Sequence, residues 1–69
     1  MADPVYYGEH VRTRTIYDPN RQEDAEIVEI KRGEHWIEQG RYGHMSNDYA
    51  LTDARLCAQA LARQHVGGH

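Results

Sequence analysis

At 69 residues the chain has room for one hydrophobic core and no second domain, because a chain this short buries a smaller share of its surface than a longer one. Hydrophobic residues at 39% and charged residues at 28% describe a folded domain and not a disordered tail. The formal charge of −3 at pH 7 excludes the strongly basic type of nucleic-acid binder, and no apolar run approaches the roughly 18 residues that span a bilayer.

From His10 to Tyr17, β-branched and aromatic residues predict a first strand. Val5, Tyr6 and Tyr7 extend it backwards, with Gly8 as a bulge or bend. Asp18-Pro19-Asn20-Arg21 ends it by turn chemistry, Pro presetting φ and Asp bonding its own backbone. A hairpin follows over Ala25 to Gln39. A two-residue turn at Arg32-Gly33 would force Arg32 to positive φ, whereas a loop of Lys31, Arg32 and Gly33 asks this only of Gly33. The longer loop sets Val28 opposite Trp36 and Ile27 opposite Ile37, and it brings His35 opposite Glu29. The shorter one would set Glu29 against Trp36 and Ile27 against Glu38, a poorer apolar match.

Gly40, Gly43, Ser46, Asn47 and Asp48 break regularity, with Arg41 to Met45 compatible with a further strand. A helix is then predicted from an N-cap at Thr52 to about Gln64, with Asp53 on its positive end, Leu51 and Leu56 as a hydrophobic staple, and Gly67 available as a cap. Ala54, Cys57, Ala58 and Leu61 form its inward stripe, and their small size implies close approach to the sheet. Met1 to Pro4 and Gly67-Gly68-His69 carry no anchoring features. The expected class is therefore α+β, a small antiparallel meander of about three strands packed against one C-terminal helix, as a single domain.

The five histidines and Cys57 raise the question of a metal site, but their spacing does not fit one. Cys57 and His65 would sit about 12 Å apart along the helix, and no paired-ligand spacing occurs. Cys57 on the inward stripe reads as a small core filler and not as a nucleophile, and the hairpin carboxylates read as a solvated face. No catalytic residue, metal or cofactor is expected. The lone cysteine and the absence of signal-peptide features point to a cytoplasmic chain, and its size suits a bacterial or phage regulator.

Two binding classes are left. The first is a non-catalytic protein-interaction module, a small regulator, inhibitor or adaptor on a larger partner, for which a basic partner suits the acidic chain. The hairpin has apolar residues on two faces and one helix covers only one of them. Val28, Ile30 and Trp36 are assigned to the helix. Ile27 and Ile37, bordered by Glu29, His35 and Gln39, form the expected interface. Tyr6 and Tyr7 either join that interface or fold, with Val5, over Ile27 and Ile37, and a homodimer through the same patch is a further alternative. Protonation of His35 beside Glu29 would make association sensitive to pH. The second class is nucleic-acid binding through Arg12 and Arg14 on the first strand, with Tyr7 and Tyr17 stacking on bases.

Overall fold

The computed structural model describes the backbone of residues 3–67 and side chains as far as Gln64. Met1, Ala2, Gly68 and His69 lie outside the described residues, as do the side chains of His65 and Val66, so the expectations for these positions lie outside them too.

Strands β1 (Val5–Tyr6), β2 (Val11–Asp18), β3 (Glu23–Arg32) and β4 (His35–Gly43) precede helix α1 (Ala50–Gly67). The strands form one antiparallel sheet in the order β1-β2-β3-β4, and the helix packs on one face of it. This is the expected α+β meander with one strand more. The addition comes from the N-terminus. Gly8, at φ 83°, turns the chain back, so that Tyr6 lies beside Arg12 and the Tyr7 N–H donates to the Val11 carbonyl at 2.8 Å. Val5 and Tyr6 thus neither extend β2 nor fold over Ile27 and Ile37. At the far end of β2, one Asp18 carboxylate oxygen accepts the backbone N–H groups of Asn20 and Arg21, the turn chemistry read from the sequence.

The β3–β4 register differs from both alternatives considered above. Arg32 pairs with His35 around a loop of Gly33 and Glu34, and Gly33 alone takes positive φ, at 63°. Glycine at the first of two loop positions is the type II′ pattern, which leaves Arg32 extended and needs no third loop residue. Ile30 consequently faces Ile37, Lys31 faces Trp36 and Glu29 faces Glu38. Val28 then faces Gly40, so Gln39 is the extra residue of a β-bulge, and Ile27 faces Arg41. Trp36 therefore lies on the sheet face away from the helix, and Ile37 lies on the helix side with Ile30, the reverse of the expected assignment. His35 is exposed and far in register from Glu29, which removes the expected His35–Glu29 pair.

The helix starts before Thr52. The Asn47 side chain accepts the Tyr49 N–H at 2.8 Å and donates to Asp53, while the Tyr49 carbonyl receives the Asp53 N–H. An Asn two residues before Tyr49 does the work assigned to Thr52, because its side chain both accepts and donates there. Leu51 and Leu56 are exposed and form no staple. The inward stripe is as expected in substance: Ala54 and Ala58 are buried against Val11, Val28 and Ile30, with Tyr7, Tyr42, Cys57, Leu61 and Ala62 closing the edges. Each fully buried valine or isoleucine here contributes about 1.5–3 kcal/mol, and the alanines let the helix come close enough to exclude water from them.

A candidate interaction surface on the open sheet face

Along β2, Val11 and Thr13 point to the helix, so Arg12, Arg14 and Ile16 point the other way. Cross-strand pairing places them beside Glu29, Ile27 and Ala25, and then beside Glu38, Arg41 and Gly43 of β4. Among the described residues no helix or strand covers this face. Its centre is nevertheless dry, with Ile27 only 2% exposed. The cover is made of arginine side chains, whose apolar stems lie along the sheet while their charged ends are held by carboxylates.

Glu29 organises one side of this cover. Its carboxylate accepts Arg12 Nε at 2.7 Å and Arg14 Nε at 3.0 Å, with Arg14 Nη2 at 3.3 Å. Burial opposes its charge, yet the hydrogen bonds from Arg14 and Arg12 outweigh burial and hold the carboxyl below the ordinary range. Burial likewise opposes the charge on Arg12, and its interactions with Glu29 and Tyr6 together more than restore it. Arg41 organises the other side by bonding Glu38 through Nε and Nη2 and Asp18 through Nη1 at 3.1 Å. Its hydrogen bond also lowers the Asp18 pKa, and its own pKa is raised by Glu38 first and by Asp18 second.

At the hairpin end, the Arg12 guanidinium lies 4.2 Å from the Trp36 ring centroid, a cation–π geometry. The Tyr6 ring meets Trp36 at 6.0 Å with planes at 60°. Tyr6 is 57% exposed and Trp36 half-buried, so the cluster is both fixed and accessible.

The expected interface residues do not form one patch. Glu29 and Tyr6 lie on this face in and beside the arginine cluster, and Ile27 lies beneath the cover. Ile37 and Tyr7 belong to the helix side, His35 flanks the hairpin loop, and Gln39 is the bulge, its amide touching the Glu38 carbonyl. Arg12 and Arg14, the residues of the nucleic-acid reading, are on the open face and both are bound by Glu29. Trp36 and Arg41 are the functional candidates that sequence reasoning missed. The Gly33-Glu34 loop puts Trp36 on this face, and the bulge at Gln39, which reverses that shift, keeps Arg41 here.

Two further carboxylates serve the fold. Glu23 accepts the Met45 and Ser46 N–H groups and the Ser46 hydroxyl, and the hydroxyl bond leads in depressing its pKa. Glu26 holds the Thr15 hydroxyl and His44 Nε2, each at 2.7 Å. Among the described residues no three His, Cys, Asp or Glu side chains gather as a metal site would require, and no helix is long and apolar enough to cross a membrane. Cys57 is half-buried and hydrogen-bonds Tyr42, which, together with burial, raises the Tyr42 pKa. Compared with protein-family models, curated proteins and solved structures, the chain finds no match in any of the three.

Proposed function

We propose that this protein is a non-catalytic interaction module, a small regulator, inhibitor or adaptor, which binds a larger protein through the open face of its sheet. The observation that carries this reading is the Tyr6–Trp36–Arg12 cluster, with Arg12 already fixed between Glu29 and the indole ring. Trp, Tyr and Arg dominate the energetics of protein interfaces, and side chains ordered before contact lose less entropy on binding. Cations and carboxylates alternate across the face, so its complement is a surface of mixed charge more than the uniformly basic partner that the net charge suggests.

The experiment is capture from native lysate with the wild type, Trp36→Ala and Arg12→Ala. A protein retained by the wild type should be lost with either variant and kept by Thr52→Ala, a change at an exposed helix position. Retention by all three variants would remove the open face from consideration.

One observation favours a second reading, in which the face binds nucleic acid: Arg12, Arg14 and Arg41 share it with two aromatic rings. The weight against it is Glu29, only 4% exposed, which a phosphate would have to displace from both Arg12 and Arg14. A buried carboxylate stripped of its cations is costly. Affinity falling linearly in log salt with a steep slope would establish the second reading and defeat the first.

A further inference from the structure

The two edges of the sheet differ. One is the two-residue β1, and the other is the nine-residue β4, beyond which the described residues place no further strand. A long bare edge offers unpaired N–H and C=O groups to another strand.

The ladder shows which β4 groups face outward. The Lys31 N–H donates to the His10 carbonyl on the β2 side, and the Asp24 carbonyl receives the His44 N–H on the β4 side. These directions alternate along an antiparallel strand, so Glu26, Val28 and Ile30 bond towards β4, and Ile27, Glu29 and Lys31 bond towards β2. Their partners divide accordingly. Tyr42, Gly40 and Ile37 turn their backbone groups inward, while Arg41, Glu38 and Trp36 turn theirs outward. In a regular strand all outward residues would be an even number of positions apart. The extra residue at Gln39 changes this, and Glu38 and Arg41 are both outward although separated by Gln39 and Gly40.

Two copies laid antiparallel about a two-fold axis at the Gln39–Gly40 bond therefore bring outward groups to outward groups. Glu38 of one copy faces Arg41 of the other, and Ile37 faces Tyr42. Directly opposed residues must share a sheet face, and these do: Glu38 and Arg41 belong to the open face, Ile37 and Tyr42 to the helix side. Opposite charges meet on one side and apolar groups on the other. Within its own chain Glu38 faces Glu29 across the ladder and is bonded by Arg41, so the two-fold axis brings two such ion pairs side by side, while Ile37, left 43% exposed, gains an apolar neighbour. Of the outward carbonyls, that of Gly43 receives the Asn47 N–H, which marks where the new ladder ends, and that of Glu38 has an exposed 3.4 Å contact from the Gln39 amide, which a strand N–H would replace.

We propose that the protein forms a homodimer by pairing its β4 edges in this register, the bulge setting the register, so that one continuous sheet runs through both copies. The proposal does not rest on the open-face reading, because it uses backbone groups of the edge, and either can fail without the other.

The test is sedimentation equilibrium of the full chain, with circular dichroism as the folding control. The wild type should approach twice its 8.0 kDa mass as concentration rises. Glu38→Arg and Arg41→Glu should each weaken association by about tenfold or more, since each puts like charges opposite one another twice across the axis. Mixed together, the two variants should recover it as a heterodimer, one chain being positive and the other negative at both positions. Contacts within a chain cannot produce that recovery, because like charges persist within each chain. Glu38→Pro is the second variant, usable even if Arg41→Glu unfolds through loss of the Asp18 partner. It removes an outward N–H, a change edge strands accept, and the carboxylate on Arg41, which Asp18 still holds, and should give a folded monomer. A wild type that stays at 8.0 kDa at millimolar concentration overturns the proposal. So does a folded mixture that fails to associate, or a Glu38→Pro chain that dimerises like the wild type.

Discussion

Ile30 and Ile27 sit on opposite faces of β3 and are nearly equally buried, at 3% and 2% exposed, yet by different means. Over Ile30 lies a helix that presents alanines, a close-packed apolar contact with little freedom to rearrange. Around Ile27 lie Arg14 and Arg41, whose stems keep water out only while Glu29, Asp18 and Glu38 hold their ends. The first kind of burial is made by secondary structure and the second by charge pairing. The two should respond differently to truncation, to acid and to a partner.

The same substitution on the two faces is the strongest way to break the comparison. Ile30→Ala is expected to cost about 3–4 kcal/mol in urea unfolding, transfer loss plus a cavity the helix cannot close. Ile27→Ala should cost about 2 kcal/mol, because the arginine stems settle into the space. Equal losses would show the arginine cover to be as rigid as the helix.

Next in size is Glu29→Ala, which leaves Arg12 and Arg14 without their shared carboxylate. A loss of about 1–2 kcal/mol is expected, held down by the partial exposure of both arginines. The emission of Trp36, the chain's only tryptophan, should change with it, as Arg12 leaves the ring. Unchanged emission would mean that Glu29 does not position Arg12.

Acid sharpens the same contrast. Asp18, Glu23 and Glu29 all have pKa values lowered in the folded chain, so the unfolded chain binds protons more readily. Their contribution is complete above the unfolded carboxylate pKa, about 4, and is lost as pH falls through that value towards the lower folded ones. The urea midpoint should therefore drop between pH 6 and pH 3, and Glu29→Gln should lower the midpoint at pH 6 and flatten the decline. A parallel decline in that variant would place the acid sensitivity elsewhere.

The smallest expected effect lies at the β2–β3 turn, remote from both faces. Gln22 is a non-glycine residue at φ 55°, and Gln22→Gly should relieve that strain and stabilise the chain by about 0.5–1 kcal/mol, read as a raised urea midpoint. No gain would indicate that the Gln22 side chain offsets its backbone strain.

Local chemistry was legible in the sequence, and geometry accumulated along the chain was not. Asp18 ended its strand as its turn chemistry required, and Ala54 and Ala58 met the sheet because helical spacing is regular. The hairpin failed at Gly33. Requiring a glycine at positive φ does not say whether it stands first or last in the loop, and a shift of one residue exchanges the faces of every side chain after it. That shift moved Trp36 from the imagined core to the open face and moved Ile37 the other way. The bulge at Gln39 shifted the faces a second time without any residue type that marks it. Arg12 and Arg14, two positions apart on a strand, share a face by the alternation alone, but the carboxylate that binds both comes from a β2–β3 register the sequence leaves open.

The contact between Cys57 and Tyr42 at the helix–sheet seam supplies a clock. A thiol-labelling reagent reaches a partly shielded sulfur faster each time the helix lifts, so the labelling rate measures that opening in the unaltered protein. Amide exchange along β3 measures strand separation in the same sample. Where the two rates coincide the domain opens as one unit, and where labelling runs ahead the helix comes away first, leaving Val11 and Val28 bare on a sheet that its arginines still hold together on the other side.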